Sequence, residues 1–265
     1  MTAREAEVTY QSDGQEVPAR MSLPPQLEGT GPGVLLCAGR LREIEGLSFL
    51  AEALAIRGMV VLASRYRGMD MRTDDRDCIA GLDYLTALPE VDPTRIAMAG
   101  HSRGAMASLR VAAKDQRVRS VVALQPVSDL GRYVKATRNY APIRYERLAE
   151  SLGGSPEEQP DTYEELSALT FADRIRVPVL LVAGTMDLHS PMEHSMWMHE
   201  ALVAAGNEDV HLEVLEGVGH FFERMYSGFV HDTITDLTTT WLERTLGEQP
   251  AGARGASSGS EGTGR

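Results

Sequence analysis

A serine, an aspartate and a histidine occur in this chain at positions where they could act together on a carbonyl group. Ser102 is the middle residue of Gly100-His101-Ser102-Arg103-Gly104, a Gly-x-Ser-x-Gly pattern. Such a pattern is typical of a tight strand-to-helix turn, where small flanking residues avoid clashes and the hydroxyl is exposed. Residues 95–99 predict a strand before it, and residues 105–109 predict the start of a helix after it. We therefore predict that Ser102 is a nucleophile, the alternative being a glycine-rich turn with an incidental serine.

A serine hydroxyl is a weak nucleophile at neutral pH and needs a general base, which in turn needs an orienting group. Asp187 lies in the loop after a predicted strand at 179–184, and His220 lies in a glycine-containing loop after a predicted strand at 211–215. The order serine, acid, histidine agrees with the Gly-x-Ser-x-Gly pattern. We predict His220 as the base and Asp187 as the orienting acid. Asp129, which follows an earlier predicted strand, is the alternative acid.

The other six histidines fit the role of base less well, and no spacing among them on one element is typical of metal ligands. No metal or cofactor is therefore predicted. We expect the ring of His101, next to Ser102, to pack in the interior. Surface or capping roles are expected for His189, His194 and His199, which follow Asp187. His211 lies within a predicted strand, and His231 lies within the last predicted helix.

An oxyanion formed at Ser102 would need two hydrogen-bond donors. The first predicted donor is the backbone N–H of Arg103, which follows the nucleophile. The second is the backbone N–H of Arg40, in the loop after a predicted strand at 33–37.

Several arginines fall near predicted strand ends, although the chain has a formal net charge of -12. Because a guanidinium binds a carboxylate or phosphate through two donors, Arg42, Arg65 and Arg67 are candidate substrate-binding residues. The alternative is that these arginines form structural ion pairs with the nearby aspartates, namely Asp70, Asp74, Asp75 and Asp77.

The elements that must position these residues are short apolar runs alternating with helical patterns. This alternation predicts an α/β fold, a mostly parallel central sheet with helices on both faces. Asp13-Gly14 predicts a hairpin turn near the N-terminus. The segment between about 125 and 176 breaks the rhythm and predicts a short helical insertion, a small cap over the strand ends where ligands bind. We predict one domain over residues 1–246 and a disordered tail over 247–265, which is rich in Gly, Ser and Ala.

Composition excludes some classes of partner. The acidic charge disfavours a nucleic-acid partner, and no apolar run is long enough to predict a membrane span. The N-terminus has no apolar signal core, so a cytoplasmic location is expected. Cys37 and Cys78 are expected to be small buried thiols.

These features together resemble the α/β-hydrolase superfamily, in particular the catalytic domain of the prolyl-oligopeptidase (S9) group and the related dienelactone-hydrolase-like esterases. The resemblance covers about residues 31 to 246. It implies the α/β-hydrolase fold and a serine hydrolase with Ser102, Asp187 and His220 as its triad. The segments that carry it are 100–104, 152–158 (Leu-Gly-Gly-Ser-Pro-Glu-Glu), 172–178 (Ala-Asp-Arg-Ile-Arg-Val-Pro), 184–187 (Gly-Thr-Met-Asp) and 217–221 (Gly-Val-Gly-His-Phe).

The chain departs from the peptidases of that group in three ways. About 30 residues precede the matching segment, so the substrate-gating β-propeller that those peptidases usually carry is not expected. Arg103 stands where many of them have tyrosine, and Ala38 stands where histidine is common. We therefore expect a small-molecule esterase that cleaves a carboxylic ester, thioester or amide through an acyl-enzyme. An S9-like peptidase acting on short peptides, an acyltransferase and a non-catalytic binding module remain alternatives.

Overall fold

The computed structural model describes residues 2–40 and 43–247, and the strands in this part of the chain form one sheet. In this part of the chain the sheet has eight strands in the order β1-β2-β4-β3-β5-β6-β7-β8. The β1–β2 and β2–β4 pairs are antiparallel and the other pairs are parallel, which confirms the predicted mostly parallel sheet. The strands are β1 (Arg4–Ser12), β2 (Gln15–Leu23), β3 (Gly31–Cys37), β4 (Val60–Ser64), β5 (Val91–His101), β6 (Val118–Leu124), β7 (Val179–Gly184) and β8 (Val210–Leu215).

The predicted hairpin joins β1 to β2. Asp13 and Gly14 have φ angles of 49° and 75°, as a two-residue turn with two left-handed positions requires. Because aspartate and glycine tolerate this backbone region, the two residues fix the register of the hairpin, in which Ser12 pairs with Gln15.

Helices cover both faces of the sheet. The α1 and α9 helices pack together against β4 and β6, whereas α2 and α3 pack together against β3 and β5. Every residue of β4 and β7 is buried, as expected for strands covered on both sides. The helices outside the segment between β6 and β7 are α1 (Ser48–Ile56), α2 (Asp74–Thr86), α3 (Arg103–Ala112), α7 (Glu193–Ala204), the short α8 (Phe222–Met225) and α9 (Phe229–Leu246).

The segment between β6 and β7 is helical. It contains α4 (Leu130–Tyr140), α5 (Pro142–Ser151) and α6 (Pro160–Leu166), followed by a 3-10 segment at Ala168–Arg174. An apolar cluster of its own, which includes Tyr133, Leu148 and Tyr163, also takes in Met106 of α3. This contact fixes the insertion on the helix that begins beside Ser102.

Two sequence predictions concern residues outside the described ranges: Arg42, and the tail from 248 to 265. Within the described ranges, none of the helices has the length and apolar character needed to cross a membrane.

Candidate active site

Ser102 occupies the sharp turn between β5 and α3. Its φ of 55° and ψ of -113° lie outside the regions that L-residues ordinarily adopt. A Cβ at Gly104 would overlap the backbone carbonyl of Cys37, and a Cβ at Gly100 would overlap the backbone of Gly104. The two glycines of the pattern are therefore required by close backbone contact, and this contact holds the strained serine in place.

Ser102, His220 and Asp187 form one hydrogen-bonded line. His220 Nε2 lies 2.9 Å from Ser102 Oγ, and His220 Nδ1 lies 2.8 Å from Asp187 Oδ2. The other oxygen of the carboxylate, Oδ1, accepts hydrogen bonds from the backbone N–H groups of His189 at 2.8 Å and Ser190 at 2.7 Å. His220 and Asp187 are buried. The geometry is that of a nucleophile, a base and an acid that orients the base.

Two side chains hold the loop that carries His220, and neither was predicted from the sequence. Gln125 Nε2 donates to the Gly219 carbonyl at 2.9 Å. The Tyr226 hydroxyl accepts from the Gly219 N–H at 3.0 Å and donates to the Gly217 carbonyl at 3.1 Å. Gln125 directly follows the carboxyl end of β6, where α/β sheets place their functional groups, and this position is the signal that could have identified it.

Two further histidine rings pack against His220. His101 is buried behind it, with ring centroids 4.8 Å apart and its Nε2 3.3 Å from Gln125 Oε1. Burial lowers the pKa of His101 to about 3, so this ring is neutral. His189 stacks on His220 with ring centroids 5.4 Å apart, and burial lowers its pKa as well. His189, for which a surface or capping role was expected, is half-buried and lines the pocket above Ser102.

Asp129 and His194 have structural roles. Asp129 caps α4 by accepting a hydrogen bond from the backbone N–H of Arg132 at 2.8 Å, and it also pairs with the Arg132 side chain at 3.2 Å. His194, for which a surface or capping role was expected, is buried, and its backbone carbonyl and ring both meet the Ser128 hydroxyl. Burial lowers the pKa of His194 to about 4. Neither residue hydrogen-bonds to His220 in the described part of the chain.

Arg65 and Arg67 lie in ion pairs, which was the alternative to substrate binding in the sequence prediction. Arg65 pairs with Glu45, and Arg67 Nε lies 2.6 Å from Asp77, whose side chain is fully buried. Carboxylates therefore occupy both guanidinium groups, and neither residue lines the pocket. Arg42, the third candidate, lies outside the described residues.

The two predicted oxyanion donors lie on segments that flank Ser102. Arg103 is the first residue of α3, where a helix leaves backbone N–H groups without an intrahelical partner. Arg40 follows Gly39, at which an added Cβ would lie 4.0 Å from Ser102 Cβ. The Arg103 side chain points elsewhere, into a buried ion pair with Asp74.

A cavity of about 640 Å³ opens above Ser102 and His220. Its wall comes from the loop after β3, from α5 of the insertion and from the His220 loop. Among the described residues no cluster of three or more histidine, cysteine or acidic side chains could hold a metal ion. Cys37 and Cys78 are free, buried thiols with sulfur atoms 3.7 Å apart. The charged side chains that line the cavity are Arg40, Glu43, Arg144, Arg147, Glu223 and Arg224.

Comparison with known proteins identifies the family. Residues 47–249 match the model of the prolyl oligopeptidase family, peptidase S9. The chain belongs to this family. The match contains the Ser102 turn and the loops of Asp187 and His220, so the protein is an S9-family serine hydrolase.

Relatives of this S9 hydrolase have different names. An uncharacterized protein of Mycobacterium tuberculosis is 30% identical over 210 residues, which are 76% of this chain and 67% of the relative. The uncharacterized peptidase YtmA of Bacillus subtilis is 26% identical over 74% of this chain and 78% of its own length. The acetyl esterase Axe7A of Xylanibacter ruminicola is 33% identical over 43% of this chain and 28% of its own length. The relatives thus include a peptidase and an esterase.

Solved structures share the fold. Pyrococcus horikoshii acylaminoacyl peptidase matches with a TM-score of 0.79 and 17% identity over 95% of this chain, which spans 43% of that protein. Est1E from Butyrivibrio proteoclasticus matches with a TM-score of 0.73 and 20% identity over 91% of this chain and 99% of its own. At these identities the likeness concerns the fold alone. The S9 hydrolase described here spans less than half the length of the solved peptidase.

Proposed function

We propose that this S9 hydrolase is a small-molecule esterase with Ser102 as nucleophile, His220 as general base and Asp187 as the acid that orients the base. The observation that carries the proposal is the hydrogen-bonded line of these three side chains, with separations of 2.9 and 2.8 Å, at a cavity of about 640 Å³. Pockets that bind small molecules have volumes of roughly 300–1,000 Å³. The cavity is therefore large enough for a small ester.

The proposed reaction follows from the positions of the atoms. Ser102 Oγ attacks the ester carbonyl carbon while His220 Nε2 takes the hydroxyl proton. The backbone N–H groups of Arg103 and Arg40 stabilise the negative carbonyl oxygen of the tetrahedral intermediate. His220 then returns the proton to the leaving alkoxide, and the C–O bond to the alcohol breaks. A water molecule, deprotonated by His220, then attacks the acyl carbon. The bond from this carbon to Ser102 Oγ breaks, His220 returns the proton to Oγ, and the acid is released.

A second candidate is a peptidase that acts on short peptides, and the likeness to the Bacillus subtilis peptidase favours it. The likeness to an acetyl esterase favours ester cleavage. Rates on matched 4-nitrophenyl esters and 4-nitroanilides of one acyl group discriminate between them. For an esterase, the ratio of kcat/KM on the ester to kcat/KM on the anilide should exceed the ratio of their uncatalysed hydrolysis rates by at least about a hundredfold. If the enzyme accelerates hydrolysis of the anilide as much as that of the ester, the peptidase is supported.

The nucleophile is tested by the intact mass of the protein after incubation with a fluorophosphonate. We expect one adduct on the native chain and none on Ser102→Ala or His220→Ala. His211→Ala is the matched control, because His211 is an exposed histidine of β8 outside the cavity, and it should keep the adduct. Folded native protein that forms no adduct would contradict the proposal.

A further inference from the structure

Three arginines in the wall of the cavity have no carboxylate partner. Among the described residues, no aspartate or glutamate oxygen lies within 4.0 Å of the guanidinium nitrogens of Arg40, Arg144 or Arg147. Arg144 meets the hydroxyl of Tyr133, and its Nε is buried without any hydrogen-bond partner. These three guanidinium groups are therefore available to a ligand.

The other arginines near the site are neutralised. Arg65, Arg67 and Arg103 each pair with a carboxylate. Arg224, the fourth arginine of the cavity wall, pairs with Glu43. The three unpartnered arginines thus lie together in one cavity wall of a chain whose net charge is -12.

The unpartnered arginines repel one another. Burial lowers the pKa of Arg40, and the neighbouring charges of Arg144 and Arg147 lower it further. Arg144 and Arg147 are three residues apart on α5, so their side chains share one face of that helix. An arrangement of like charges without a counter-ion destabilises the folded protein, and an anionic ligand would relieve this repulsion.

The arginines also lie close to the reacting atoms. Arg40 follows Gly39, which packs beside Ser102. The positive charge of Arg144 contributes to the lowered pKa of His189, whose ring stacks on His220. An anion held by these arginines would therefore belong to the same molecule whose ester bond faces Ser102.

We propose that the pocket selects substrates that carry a free carboxylate near the ester bond, and that Arg40, Arg144 and Arg147 bind this carboxylate. The proposal rests on the esterase function and names its substrate class. Guanidinium groups suit a carboxylate because they offer two parallel donors, and a positive pocket in an acidic protein concentrates anions at its mouth. Neutral esters of the same size lack this interaction and bind less well.

The test compares kcat/KM within two pairs of substrates that differ in charge. Mono-4-nitrophenyl glutarate and 4-nitrophenyl valerate place the difference on the acyl side, whereas 4-acetoxybenzoate and 4-acetoxybenzamide place it on the leaving group. We expect a preference of at least about tenfold for the carboxylate in one pair, as charged hydrogen bonds provide. The preference should fall about tenfold in Arg144→Gln, and it should weaken as sodium chloride is added. Arg138→Gln removes the same charge from an exposed position on α4 and should leave the preference unchanged.

The outcomes separate this proposal from the esterase function. If neutral esters are cleaved and neither carboxylate-bearing substrate is preferred over its neutral counterpart, the esterase function is supported and the carboxylate site is refuted. If no ester is cleaved, calorimetric binding of monoethyl glutarate to the Ser102→Ala protein decides, with ethyl valerate as the neutral comparison. Selective binding that Arg144→Gln weakens supports the site, and equal or absent binding of the two ligands overturns it.

Discussion

The ion pair between Arg103 and Asp74 offers a sharp test of the energetics beside Ser102. Arg103 Nε lies 2.8 Å from Asp74 Oδ2, and the two side chains are 2% and 0% exposed. The guanidinium also donates to the Gly68 carbonyl at 3.1 Å and lies 4.5 Å from the centre of the Tyr66 ring. Asp74→Ala would leave this buried charge without a counter-ion. Removing one partner of such a pair costs about 3–5 kcal/mol, so the free energy of unfolding should fall by that amount. The melting temperature should fall by roughly 6 to 20 °C in a chain of this size.

Urea denaturation followed by circular dichroism measures this loss. Asp209→Ala is the matched control, because it removes an exposed carboxylate that pairs with Arg244, and it should cost less than about 1 kcal/mol. Replacing both partners, as in Arg103→Met with Asp74→Leu, should recover most of the loss, since no buried charge remains. If Asp74→Ala stays within about 1 kcal/mol of the native chain, the Arg103 charge is not desolvated as the structure indicates, and the reasoning fails.

Three further predictions follow from the site. Gln125→Ala removes the hydrogen bond to the Gly219 carbonyl, which holds the loop that carries His220. We expect kcat to fall about tenfold with little change in KM. A parallel rise in KM would indicate a disturbed pocket instead. Burial holds the pKa of His101 at about 3 and that of His194 at about 4, so only the unfolded chain takes up protons as the pH falls below about 6.5. The free energy of unfolding should then fall by roughly 1.4 kcal/mol per pH unit for each histidine down to about pH 4. Urea denaturation at a series of pH values measures this slope. If His194→Gln leaves the slope unchanged, His194 is not held neutral in the folded protein. Gly104→Ala places a Cβ against the backbone of β3. It should destabilise the protein by more than about 1 kcal/mol and slow the reaction of Ser102 with the fluorophosphonate. An unchanged melting temperature would mean that the turn can relax.

The alternation of apolar strands with helical patterns was enough to predict the sheet. Apolar runs such as 33–37 and 179–184 coincide with strands that are buried on both faces, because such strands contain few polar residues. Element ends were less accurate: the strand predicted at 95–99 is part of β5, which extends from Val91 to His101. Ends depend on local caps and on pairing with neighbouring strands, which a sequence pattern reports poorly.

The sequence left the partners of charged side chains as alternatives. Arg67 was a candidate for substrate binding or for an ion pair with a nearby aspartate, and it pairs with Asp77, ten residues away, as well as with Asp13 on the distant hairpin. Arg144 was not singled out within the predicted insertion, since its position over the site depends on how the insertion packs on α3. Such contacts join residues that are far apart in the chain, and many pairings satisfy the same composition.

The sequence by itself determined which residues stand at the carboxyl ends of strands. Ser102, Asp187 and His220 each follow a strand of the parallel part of the sheet, and the carboxyl ends of parallel strands meet at one edge of a sheet. Only the tertiary structure decided which charges near that edge are neutralised, because an ion pair depends on distances of a few ångströms between separate elements. It left Arg40 and Arg144 without carboxylate partners among the described residues, and this distribution of charge sets the substrate class proposed for the site.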